Sequence, residues 1–313
     1  MLNCPACGSP LREEPLFHGV DRLHGTPGAF SVRGCPACGS GSTFPPAGPE
    51  ELERFYPDSY NAYVLPRTLP LRVLATMLFR WRYFRALRRP PLVSLRATGP
   101  GRVLDVGAGR GDLGIVLRGS GWHVTGLEPS ASACIEGRRR GLEMIEGTLA
   151  TADVSELGAP FDAVVFQHSL EHLAEPGDDL IRARSLLREG GLLVISVPNF
   201  GSWQSRTFES AWFHLDLPRH RVHFTPEGLE RLLLRSGFGK PRLTTSTTAD
   251  GLPMSLQYRL LGRRRISTGV PLYLMFGLSL ALVPLTVAVN ALSGGGDQLN
   301  ASAVRVPTPG LRP

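Results

Sequence analysis

From Gly101 onward the chain alternates short apolar runs with helical stretches, and this alternation limits the fold more than any other feature. It is the signature of a parallel sheet whose strands are joined by crossover helices. Strands are expected at Arg102–Val106, His123–Leu127, Leu142–Ile145, Phe161–Phe166, Gly191–Val197, Arg242–Ser246 and Ala301–Val306. Helices are expected at Gly111–Gly119, Ala131–Arg140, Asp178–Leu187 and Pro226–Ser236, the last with Thr225 as N-cap and Pro226 in the first helical position. A chain of 313 residues has room for one large core and a small satellite.

The satellite is marked by cysteine. Four of the five cysteines lie in two copies of one pentapeptide, Cys4-Pro-Ala-Cys7-Gly8 and Cys35-Pro-Ala-Cys38-Gly39, and Cys134 stands alone. Residues 1–45 are too few for a core without a staple, and two C-x-x-C knuckles supply the ligands of one tetrahedral zinc ion. Four sulfurs close the shell, which makes the zinc structural and leaves His18 and His24 without a metal role. The N-terminus lacks a basic region followed by an apolar stretch, so the expected compartment is reducing, the cytoplasm.

Residues 46–100 read as a proline-punctuated connector around one basic helix, Leu71–Arg89, and residues 101–313 as the main domain. The net charge is +7, carried by arginine with Lys240 as the only lysine, and the pI is near 9.6. An anionic partner fits that balance, but the connector offers only Trp81, Tyr83 and Phe84 for base stacking, a thin case for nucleic acid.

Val103-Leu-Asp-Val-Gly-Ala-Gly-Arg-Gly111 follows an expected strand and opens an expected helix, where glycines let a ligand approach the backbone. Gly109–Gly114 also satisfies G-x-G-x-x-G, so these residues alone leave a nicotinamide-dependent oxidoreductase open. An acid at Glu128, ending the second strand, suits ribose hydroxyls in either case.

Here the chain resembles the class I S-adenosylmethionine (SAM)-dependent methyltransferases, over roughly residues 100–306. Their acid-x-Gly-x-Gly-x-Gly motif is matched by Asp105, Gly107, Gly109 and Gly111. Further matches are the fourth-strand segment Phe161–Leu173 and the turn into the fifth strand, Leu187–Asn199. The resemblance implies a Rossmann-like, doubly wound α/β sheet of seven strands in the order 3-2-1-4-5-7-6. It implies that Gly107, Ala108, Gly109 and Gly111 pack on the methionine part of SAM, that Asp105 orients its ammonium, and that Glu128 holds the ribose. Thr148, Leu149 and Gln167 are further contacts on this reading. The third-strand segment Gly147-Thr-Leu-Ala150 lacks the acid often found beside the adenine.

Methyl transfer from a sulfonium requires alignment of donor and nucleophile, and a base when the acceptor is a hydroxyl or an acidic carbon. His168, His172, His220 and His223 are the candidates, with His214 in the same segment. The H-x-x-x-H pair His168/His172 lacks a clear third ligand for a metal. The run Asp216-Leu-Pro-Arg-His-Arg-Val-His-Phe224 resembles a subgroup of these methyltransferases associated with surface glycans and lipid-linked substrates, which implies transfer to oxygen or carbon of a small or lipid-linked acceptor, a sugar or glycolipid first.

Val270–Leu292 carries no charge, would span about 35 Å as a helix and follows Arg263-Arg264-Arg265. Within an insertion at 266–293, the readings are a Pro284-broken hairpin dipping into one leaflet, or an apolar cover on the sheet edge or a second subunit. Membrane contact is preferred, on the inner face.

Overall fold

The structure is a computed structural model and describes residues 2–48, 51–52, 54–56, 92–263, 269–293 and 295–307; side chains 154, 156 and 269–280 are outside the description. The expected connector helix lies outside the described residues.

The main sheet comprises β4 (Arg102–Val106), β5 (His123–Glu128), β6 (Glu143–Glu146), β7 (Phe161–Gln167), β8 (Leu187–Pro198), β10 (Arg242–Ser246) and β11 (Gln298–Val304). Its order is β10-β11-β8-β7-β4-β5-β6. Counted within this sheet from the other edge, that is 3-2-1-4-5-7-6, the order implied by the resemblance. Pairings from β6 through β8 are parallel, and β11 runs antiparallel to both β8 and β10.

Alternation along the central strands divides the core in two. Val103, Val165 and Val194 face one way, packing with Leu95 of α1 (Val93–Thr98), Leu117 of α2 (Asp112–Arg118) and Cys134 of α3 (Ala131–Arg139). Leu104, Val164 and Leu193 face the other, packing with Leu180 of α5 (Pro176–Leu186) and Leu229 of α7 (Pro226–Arg235). Strands covered on both faces must be apolar throughout, which is why these segments read as continuous runs. Short α4 (Val154–Leu157) precedes β7.

The cysteine segment forms a second, antiparallel sheet, β1 (Phe17–Gly19), β2 (Phe30–Gly34) and β3 (Gly41–Phe44), completed by β9 (Val222–His223) from the main chain of the large domain. Gly41 pairs with His223 and Ser42 with Val222. Thr225 caps α7 as expected, accepting from Gly228 N at 3.1 Å, and its hydroxyl donates to the Cys38 carbonyl at 2.6 Å. One residue thus ties a cysteine knuckle to a helix start.

One expectation is corrected. The segment around Pro284 is not a hairpin but part of one helix, α9 (Gly269–Leu292), with Pro284 inside it. A proline removes one hydrogen bond and bends a helix; reversing the chain needs a turn, which this segment lacks. α9 packs on α8 (Gly251–Leu261), and Asn290 joins Trp203 Nε1 of α6 (Trp203–Phe208) at 2.5 Å to Thr247 Oγ1 at 2.6 Å. Among the described residues no helix is long and apolar enough to cross a membrane.

Candidate active site

The site lies at the carboxyl ends of β4, β5, β7 and β8, where the order reverses on either side of β4, the crevice in which open α/β sheets bind ligands. Gly107, Gly109 and Gly111 have φ of 74°, 53° and 79°, values that side-chain-bearing residues rarely adopt. A Cβ on Gly107 would stand 2.5 Å from Cβ of Ser169, so the turn is pressed against the loop that follows β7. Ala108 completes the turn, its N–H shared with that of Gly107 on the Leu127 carbonyl.

Two carboxylates flank the turn. Asp105 is 2% exposed and Glu128 4%. Glu128 accepts from the Gly109 N–H at 2.8 Å and the Ser130 N–H at 2.9 Å, using one oxygen for each and keeping further lone pairs. Burial, aided by the Glu128 charge, lifts Asp105 to about 7; burial also raises Glu128, against the opposing pull of its two N–H donors. Two adjacent buried acids suit a cation. Gln167, the last residue of β7, has its Oε1 buried without a partner. Beyond β6, the Gly147 N–H donates to the Glu128 carbonyl at 3.0 Å, and Thr148 and the buried Leu149 follow it in the chain. A glycine cradle, paired acids and an orphaned acceptor fit the ammonium, ribose and sulfonium of SAM.

The histidines gather on the other side of Ser169, whose hydroxyl donates to the Val106 carbonyl at 2.5 Å. His168 follows β7 with φ of 56° and sets Nδ1 3.5 Å from Glu171 Oε1. His172 and His220 meet edge to face, ring centroids 4.6 Å apart. His220 Nδ1 donates to the His214 carbonyl at 2.8 Å and its Nε2 lies 3.8 Å from Glu171 Oε1. His172 Nδ1 lies 3.1 Å from the Arg219 carbonyl, which can only accept, and 2.9 Å from Tyr56 Oη. Thr43 spends its proton on the His220 carbonyl at 2.6 Å, so His223 Nε2 donates to Thr43 Oγ1 at 2.9 Å. Burial lowers the pKa of all three, His220 to about 4 and His223 to about 3, so each is neutral at pH 7. His214 differs: burial is the largest single influence and opposes its charge, but the hydrogen bond to buried Asp297 together with the charges of Asp297, Asp250 and Glu171 outweighs it, and the pKa is raised.

Sequence reasoning singled out the histidines but not what holds them. Arg219, fully buried, donates to Asp21 at 2.7 Å and Asp216 at 2.6 Å and to the Phe55 carbonyl at 3.0 Å. This joins the cysteine segment to the histidine segment. Glu171, 1% exposed with neither oxygen hydrogen-bonded, lies within the fourth-strand segment Phe161–Leu173, where nothing in the sequence marks it.

The four cysteine sulfurs do converge, all within 4.8 Å of one another, with Cys4 to Cys38 at 3.8 Å and Cys7 to Cys35 at 3.4 Å. Sulfurs 2.3 Å from a tetrahedral zinc stand about 3.8 Å apart, so the donor set fits that ion. His18 and His24 are not among the grouped ligands.

A family model described as a methyltransferase domain matches residues 79–240, just over half of the chain. The chain belongs to the methyltransferase domain family. A ubiquinone biosynthesis O-methyltransferase of Xylella fastidiosa is 35% identical over 103 residues, 31% of this chain and 42% of that protein. One from Rhizobium etli is 26% identical over 175 residues, 51% of this chain and 67% of that protein. The chain thus spans less than half the length of the first curated relatives it matches. Among solved structures, a SAM-dependent methyltransferase of Thermotoga maritima aligns with 73% of this chain and 91% of its own, at 19% identity and a TM-score of 0.48.

Proposed function

We propose that this methyltransferase-domain protein moves a methyl group from SAM to a hydroxyl oxygen of a small or lipid-linked acceptor, a sugar or glycan precursor first among them. The observation that carries the reading is the contact of Gly107 with Ser169. It sets a turn suited to SAM directly against the loop bearing His168, so donor and acceptor ends share one crevice. The relatives named as O-methyltransferases favour oxygen over carbon.

The sulfonium brings the methyl group already activated; the chain's residues align and move a proton. Asp105 meets the donor's ammonium, Glu128 its ribose hydroxyls and Gln167 a remaining donor group. His168, oriented by Glu171, takes the acceptor proton as the oxygen attacks in line. Cys4, Cys7, Cys35 and Cys38 hold a structural zinc, and through Thr43 and Asp21 this module fixes the acceptor wall.

Membrane contact through 270–292 is part of the proposal. Where α9's side chains are described, the buried ones are polar, Thr286 and Asn290, while Leu285, Val287 and Leu292 are 58%, 47% and 90% exposed. A helix of a water-soluble surface has the opposite arrangement. An acceptor with an acyl anchor would then reach the crevice from the lipid side.

The test is incubation with methyl-labelled SAM and cell extracts separated into membrane lipids, soluble metabolites, protein and nucleic acid. Label in hydroxyl-bearing lipids or metabolites is the expected outcome. Label confined to nucleic acid or protein would reject the acceptor while leaving the enzyme class in place.

A further inference from the structure

Among the described residues, Glu171, His172 and His220 form a second group whose ligand atoms all lie within 4.8 Å of one another. Glu171 is the telling member. A carboxylate that is 1% exposed with neither oxygen hydrogen-bonded is a costly arrangement unless something positive belongs there. Arg219 is not that charge, since Asp21 and Asp216 both hold it.

The histidines are prepared in the manner of metal ligands. His220 Nδ1 faces the His214 carbonyl, which can only accept, so it carries the proton; His172 Nδ1 is held between the Arg219 carbonyl and the Tyr56 hydroxyl. In His220 this fixes the tautomer and leaves Nε2, 3.8 Å from Glu171 Oε1, as a lone pair, the arrangement by which main-chain carbonyls orient ligating imidazoles. Two imidazoles and a carboxylate converge here. Asp216 Oδ2 lies 3.9 Å from the same His220 nitrogen, adding negative potential.

We propose that Glu171, His172 and His220 bind a divalent first-row transition ion of the zinc class at the acceptor end of the crevice. Two imidazoles favour such an ion over magnesium or calcium, which prefer all-oxygen shells. Ligands 2.0 Å from a tetrahedral ion stand about 3.3 Å apart, so the donors, at up to 4.8 Å, close inward slightly on binding. Three protein ligands leave a position open, unlike the four sulfurs of the cysteine group. An acceptor hydroxyl occupying that position would lose its proton more readily, with His168 adjacent to receive it. The catalytic part of this inference rests on the proposed methyl transfer; the binding of the ion does not.

The test is titration of the metal-free full chain with Co2+, read by absorbance and by bound metal per chain. Two equivalents are expected, one giving thiolate-to-cobalt charge-transfer bands and one giving ligand-field bands alone. Glu171→Gln and His220→Ala should each bind one equivalent and keep the thiolate bands, which also report that the chain is folded; His123→Ala, on an exposed strand start, should bind two. SAM titration of the same samples separates the two readings: lost SAM heat with two ions bound tells against methyl transfer, not against the site. A single equivalent in the wild-type chain, or a second that survives both substitutions, would overturn the inference.

Discussion

The two ends of the crevice are built in opposite ways. The donor end comes from one continuous stretch, Asp105 to Gln167, in which consecutive strand, turn and helix units deliver its groups at the ends of β4, β5, β6 and β7. The acceptor end is assembled from pieces remote in sequence: Asp21 and Thr43, Tyr56, Glu171, Arg219 and Asp297. A local site tolerates changes elsewhere in the chain, whereas an assembled one is only as firm as its ties. Substitutions at each end separate the two constructions.

The largest effect is expected at the tie itself. Arg219→Ala strands Asp21 and Asp216 as buried charges and should destabilise the fold by about 3 to 5 kcal/mol. Chemical denaturation would measure it. Hydrogen exchange should show the loss concentrated in β1–β3 and β9, and uniform loss across β4–β7 would show that the two ends are not separately built.

At the donor end, Asp105 is predicted to impose a pH dependence. Its folded pKa is raised, so its contribution to stability is complete below the ordinary value near 4 and is lost as pH rises to about 7. Asp105→Asn should remove that loss, making the ligand-free protein more stable at pH 8 by up to about 4 kcal/mol. In the wild-type chain a cationic ligand needs the ionised acid, so SAM affinity should climb about tenfold per pH unit below 7 and flatten above. A flat affinity profile from pH 5 to 8 would detach Asp105 from the ligand.

Gly107→Ala comes next. The positive φ and the 2.5 Å approach to Ser169 predict about 1 to 3 kcal/mol of strain and at least tenfold weaker SAM binding. Calorimetry on a chain that still melts cooperatively would check it. The smallest effect belongs to Leu285→Ser: within about 0.5 kcal/mol on folding, since the side chain is 58% exposed. Sedimentation with anionic lipid vesicles should nevertheless register weaker association, and unchanged association would remove α9 from the membrane proposal.

The same contrast explains what could be read from sequence. The seven strands, the Thr225 cap and the glycine turn are local patterns of period and backbone freedom, and all three stand where they were expected. The β3–β9 ladder pairs residues 41–42 with 222–223, and no window of sequence holds both partners. Glu171 gained its meaning from His220, nearly fifty positions away. The break expected at Pro284 failed for another reason: proline's effect on a helix depends on whether a turn follows it, and here the helical pattern simply resumes.

The most direct test of the central claim, that the bend at Gly107–Gly111 between Asp105 and Glu128 receives SAM, is calorimetric titration of the full chain with SAM and, separately, with NAD. The account predicts one-to-one binding of SAM and no heat from NAD. Binding of NAD with none of SAM would contradict it.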